Sequence, residues 1–127
     1  MILLWDSSEM QCRFALVDDE ITTYEWEAGR TLARDMLAQL REALRGRNAS
    51  FRDLTGIGVF AGPGSFTGLR IGLTVLNTMA RTNQIPIVGA GGENWQAAAL
   101  ARLEAGENDQ LVMPLYGSEA HITKPRK

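Results

Sequence analysis

Cysteine, histidine and lysine are nearly missing from this sequence, which has one Cys, one His and two Lys confined to its last four residues. The lone Cys12 excludes an internal disulfide and a thiolate metal cluster. It lies in a strand-like run, so it is expected to serve as a buried small hydrophobe. His121 sits in the terminal stretch, and neither it nor Cys12 has a partner that would make a nucleophile–base pair. Lys124 and Lys127 belong to a short basic tail, expected to be a solvated terminus rather than an RNA contact. A formal charge of -2 gives no overall pull toward nucleic acid or an anionic membrane. No apolar run approaches the ~20 residues of a membrane span, and the opening run reaches Asp6 too soon for a signal peptide. The expected setting is soluble, reducing and cytoplasmic, without membrane contact.

What is present is ordinary for a globular chain: 45% apolar and 22% charged residues over a length of 127. One domain of that size buries roughly two-thirds of its unfolded surface. Ile2 to Trp5, Met10 to Val17 and Ile21 to Trp26 read as three strands joined by polar turns, hence an antiparallel meander. In the third, Thr22, Tyr24 and Trp26 share one face and Ile21, Thr23 and Glu25 the other. Ala33, Met36, Leu37, Leu40 and Leu44 then recur at helical spacing until Gly46. A fourth strand, Thr55 to Phe60, leads through a glycine-rich turn into a second helix, about Phe66 to Thr82. Ile85 to Gly89 makes a fifth strand and Glu93 to about Ala105 a third helix. The order β-β-β-α-β-α-β-α predicts an α/β fold with a mixed five-stranded sheet and packing helices. Residues 1–106 form the expected lobe, and 107–127 a tail with one apolar patch from Leu111 to Tyr116.

The glycine turn raises the question of function. A glycine-rich strand-to-helix turn can cradle phosphate. The P-loop version needs Lys-Ser or Lys-Thr after its last glycine, and here Gly68 is followed by Leu69 and Arg70. A dinucleotide fingerprint follows the first strand of its unit, whereas this turn follows the fourth. The simpler expectation is structural: Gly62, Pro63 and Gly64 make a tight turn needing positive φ, and Ser65 or Thr67 caps the helix. Gly68 and Gly72 lie inside the helix, where each costs about 1 kcal/mol against Ala. Four residues apart, they share a face and predict close packing against a neighbour.

The second helix is apolar almost all round. Arg70, Thr74, Asn77 and Arg81 make one narrow polar stripe, and Leu69, Ile71, Leu73, Val75, Leu76, Met79 and Ala80 take most of the rest. Such a helix is covered on more than one side. The sheet supplies one cover, and the first helix or a partner chain the other. A two-metal nuclease site would need several gathered carboxylates. Asp6 and Asp35 could contribute, but the fourth strand carries no acid.

The run "GPGSFTGLRIG", Gly62 to Gly72, closely resembles the signature of the TsaB family, the threonylcarbamoyladenosine biosynthesis proteins. "ILLWDSS" is similar to the family's opening strand, "RTLARDMLAQLREAL" to its first helix and "PIVGAGG" to its next strand. The likeness covers residues 1–92 well and the rest loosely. It implies a ribonuclease H-like lobe, half of an actin-like ATPase fold. It also implies a non-catalytic subunit without cofactor, paired with a TsaD-like transferase that modifies tRNA. A homodimer standing in for that pair, a TsaE-like ATPase in the complex and only indirect contact with tRNA are further implications. Two features depart from the family. The histidine common at the start of its first helix is missing around Arg30 to Leu32, and there is no room for a second lobe before a closing "VMPLYGSEAHITKPRK".

These readings place the partner contact on Met36 and Leu40 of the first helix with Leu69, Gly72, Leu73, Leu76 and Met79 of the second. Gly62, Pro63, Gly64, Ser65 and Gly68 are expected to form the structural turn. Arg70 is expected to be a solvated member of the polar stripe, its alternative being a nucleotide held mainly by the partner. The rival function is a small nucleotide- or phosphate-binding enzyme using the Gly62–Gly68 turn and Asp6. A third is a chain that only homodimerises.

Overall fold

The computed structural model describes residues 1–64 and 66–115. The strands are β1 (Ile2–Asp6), β2 (Gln11–Val17), β3 (Ile21–Glu27), β4 (Gly56–Phe60) and β5 (Ile87–Ala90). The helices are α1 (Leu32–Gly46), α2 (Phe66–Asn83) and α3 (Trp95–Glu104). One sheet runs in the order β3-β2-β1-β4-β5. β1, β2 and β3 are antiparallel neighbours, with Leu4 opposite Ala15 and Phe14 opposite Tyr24. β4 lies parallel to both β1 and β5. The predicted meander and crossovers are therefore present, and the fold is α/β of the ribonuclease H-like kind.

The period-2 alternation of the strands decides which layer each side chain joins. Leu3, Trp5, Phe14, Leu16, Ile57 and Val59 point to one face, where they pack with Met36, Leu40, Leu44, Leu73 and Leu76 of α1 and α2. Trp5, Phe14, Tyr24 and Trp26 form an aromatic cluster in that layer, the Phe14 and Tyr24 rings stacked at 4.9 Å. Leu4, Ala15 and Val88 point to the other face, under Trp95 and Ala99 of α3. The glycines of β4 have their explanation here. A Cβ on Gly58 would stand 2.8 Å from both the Ala99 Cβ and Leu4 Cδ2, so the glycines on this face of β4 let the alanine-rich α3 lie close. Cys12 is fully buried, as expected for a small hydrophobe.

The segment after α3 returns across the sheet edge instead of leaving the lobe. Asp109 N–H donates to the Ile87 carbonyl at 2.8 Å, and the Ile87 and Gly89 N–H groups donate to the Asn108 and Asp109 side chains. Val112 is buried over Gly89, and Leu115 N–H donates to the Ala61 carbonyl. This strap, residues 108–115, crosses from β5 to α2. His121 and the basic tail lie outside the described residues.

Candidate interaction face

The glycines of α2 meet the end of β1. A Cβ on Gly68 would overlap the Ser7 carbonyl oxygen, and one on Gly72 would overlap Ser7 Oγ and stand 2.6 Å from Trp5 Nε1. The close neighbour predicted from the four-residue spacing is thus the chain's own first turn. Three polar groups fill the notch: Trp5 Nε1 donates to Ser7 Oγ at 3.0 Å, and Ser7 Oγ donates to the Gly68 carbonyl at 2.8 Å. Asp6 is also engaged locally, its Oδ1 accepting from Ser8 N–H at 2.9 Å and Ser8 Oγ at 2.6 Å.

Gly62 adopts the expected left-handed backbone, φ +113°, and a Cβ there would meet the Leu115 carbonyl oxygen at 2.7 Å. Gly64 does not need positive φ, contrary to expectation. It needs to be small, because a Cβ would stand 2.6 Å from that of Ser8. Pro63 is exposed and follows a cis bond from Gly62. Ser65 lies outside the described residues.

With the notch facing the sheet, the orientation of α2 is fixed, and this corrects the expected contact residues. Met36, Leu40, Leu69, Leu73 and Leu76 are each at most 3% exposed and belong to the lobe's own interior. Gly72 is covered by Ser7 and Trp5. Of the seven residues, Met79 alone is half-exposed. The reason is that periodicity defines the stripes of a helix but not which stripe the sheet takes; the glycines and the largest leucines took it.

The outward apolar surface lies one step around the helix. Ile71, Val75 and Met79 of α2 are half-buried beside α1, and Leu37 of α1 is 48% exposed. Leu37, Phe51, Val75 and Met79 line a shallow depression of about 430 Å³, bordered by Thr74 and Thr78. The helix pair therefore keeps an uncovered apolar strip after both helices have packed on the sheet. On the strap side of α2, its polar stripe and the strap border a second groove.

Charges at the face follow from simple contacts. Arg102 of α3 holds the strap by hydrogen bonds to Asp109 and Glu107 and to the Gly89 carbonyl. The Arg102 guanidinium and, secondarily, the Gly89 N–H hold the Asp109 carboxyl below its ordinary value, while partial burial opposes them. Burial, with the Asp6 charge second, pushes the Cys12 thiol up to about 12. It is protonated and inert at neutral pH. Asp35 pairs with its neighbour Arg34 at 2.8 Å, so it is engaged on the surface of α1.

A family model described as TsaD, tRNA N6-adenosine threonylcarbamoyltransferase, matches residues 26–113, more than half of the chain. The chain belongs to this family. Its curated relatives place it with the TsaB members. One, the tRNA threonylcarbamoyladenosine biosynthesis protein TsaB of Escherichia coli, is 29% identical over 89 residues, 69% of this chain and 38% of its own length. The protein of that name from Haemophilus influenzae is 28% identical over 124 residues, 97% of this chain and 52% of its own. Among solved structures, YeaZ from Pseudomonas aeruginosa superposes with a TM-score of 0.68 at 26% identity, over 83% of this chain and 49% of that one. A structure titled as an uncharacterized protein with similarity to peptidase YEAZ from Pseudomonas aeruginosa gives 0.69 at the same identity and coverage. The chain thus spans about half the length, or less, of the relatives it matches.

Sequence reasoning missed the strap and the outward strip. Asn77 was legible as part of a polar stripe, but its partner Val112 was not, because the two lie 35 residues apart. The Asn108-Asp109 pair beside a strand end was the available signal, since both side chains suit backbone N–H groups left open at an edge.

Proposed function

We propose that the chain is a TsaB-type, non-catalytic subunit that docks a TsaD-like transferase and so takes part in threonylcarbamoyladenosine modification of tRNA. The observation that carries this reading is the apolar strip of Leu37, Val75 and Met79, left open on a helix pair whose inner side is already packed. Ser7 supports a scaffold over the rival phosphate-binding enzyme, because it fills the glycine notch and satisfies its polar groups from within. Among the described residues no helix is long and apolar enough to cross a membrane. A soluble, cytoplasmic subunit agrees with this.

The test is co-purification with the TsaD-like protein of the same source, using Val75→Asp and Met79→Asp. A carboxylate buried unpaired in an apolar contact costs about 3–5 kcal/mol, so binding should weaken a hundredfold or more. Both side chains are half-buried against the core, so thermal melts of each variant check that the fold survives. Binding unchanged by both variants overturns the reading. A wild-type chain that pairs only with a second copy of itself, by sizing with and without the partner, also overturns it.

A further inference from the structure

We propose that the groove between α2 and the strap is a second docking channel, seating an amphipathic partner helix that carries carboxylates about three turns apart. This rests on α2 being the docking helix and adds a contact on its strap side, Arg70, Thr74 and Thr78 bordering both sides. The groove has a volume of about 530 Å³. Thr74, Asn77, Thr78 and Gln110 line it beside Pro114 and the largely buried Leu73 and Val112, and Leu111 and Met113, 57% and 65% exposed, form an apolar outer wall.

Arg70 and Arg81 mark its two ends, eleven residues apart on α2 and so about 16 Å along the axis. Arg30, Arg41, Arg52, Arg70 and Arg81 have no carboxylate partner among the described residues, and of these five Arg70 and Arg81 line the groove. No acidic side chain lines the groove among those residues. The result is a trough with a neutral polar floor, one exposed apolar wall and an uncompensated cation at either end. An amphipathic helix with apolar residues between two acids complements both features. One small anion cannot bridge guanidiniums so far apart. Nucleic acid fits less well, because two cations beside an exposed apolar wall neutralise little phosphate.

The trough is preformed. Asn77 Nδ2 donates to the Val112 carbonyl at 2.9 Å, and Val112 N–H donates to Asn77 Oδ1 at 2.9 Å, so one side chain holds the wall as a paired strand would. Arg102 and Asp109 anchor its other end. A partner helix therefore pays no ordering cost for this wall.

The experiment measures the dissociation constant for the TsaD-like partner by calorimetry, at low and high salt. The full chain is compared with the Arg70→Glu/Arg81→Glu double variant and with Val75→Asp, and thermal melts report the fold. The double reversal is expected to weaken binding at least about tenfold and to remove most of its salt dependence, with the melt unchanged. If Val75→Asp abolishes binding while the double variant leaves affinity and salt dependence intact, the second channel is overturned and the α1-side docking stands. If the double variant alone weakens binding, the channel is supported and the α1-side contact falls. If neither variant matters, both readings fall. If the double variant lowers tRNA retention with partner affinity unchanged, an RNA contact replaces the proposal.

Discussion

Replacing Gly68 by Ala tests how α2 is seated. In an isolated helix the change should stabilise by about 1 kcal/mol. Here the added Cβ would overlap the Ser7 carbonyl oxygen, a backbone atom that cannot rotate away. Relief requires β1 or α2 to shift, which costs about 1–3 kcal/mol in a packed interior. The shift would also disturb the Trp5–Ser7–Gly68 hydrogen bonds, and a buried group left unpaired costs about 1–3 kcal/mol more. The net loss is about 2–4 kcal/mol, or roughly a 10 °C fall in melting temperature for a domain of this size. Gly46→Ala is the matched control. Gly46 ends α1, and a Cβ there would find no neighbour within 4 Å, so that variant should melt at the same temperature or slightly higher. Differential scanning calorimetry of both variants decides the matter. If Gly68→Ala melts as high as the unaltered chain, the notch is not packed as described and the orientation of α2 is wrong.

Two other outcomes follow from the same packing. Cys12, buried and with its thiol pushed up to about 12, should resist a maleimide or disulfide reagent at pH 8 and react fully only in denaturant; prompt labelling of the folded chain would contradict its burial. Asp109, its carboxyl held low by Arg102, contributes stability that is present above its unfolded value near 3.8 and is lost as pH falls through the lower folded value. Asp109→Asn should therefore lose stability at pH 7 and show a flatter loss between about pH 5 and 2 in a series of urea melts, whereas parallel curves would remove the strap's anchor.

The residues differ in how much they disclosed beforehand. The meander was readable because three strand-like runs are joined by short polar turns, and in the third Tyr24 and Trp26 alternate with Thr23 and Glu25, which fixes a strand face without reference to any other element. Gly68 and Gly72 were readable as a close approach because only a neighbour could compensate their cost in a helix. The identity of that neighbour was not, since nothing local links Ser7 to a residue 61 positions away. The contact list failed for the same reason: Leu76 and Val75 look equally apolar, and only the seating of the notch sends one inward and the other outward. The strap was read as a tail because its bonds to Ile87, Ala61 and Asn77 are all long-range.

The two glycines four residues apart cut α2 like a key for a single slot. Rolling the helix by one residue would drive a neighbouring side chain into the Ser7 carbonyl, and sliding it by a turn toward its N-terminus would put Leu76 where Gly72 meets Ser7 Oγ and Trp5 Nε1. The lobe therefore cannot adjust this helix to suit whatever approaches from outside; any visitor meets a surface already aimed, and must bring the matching shape itself.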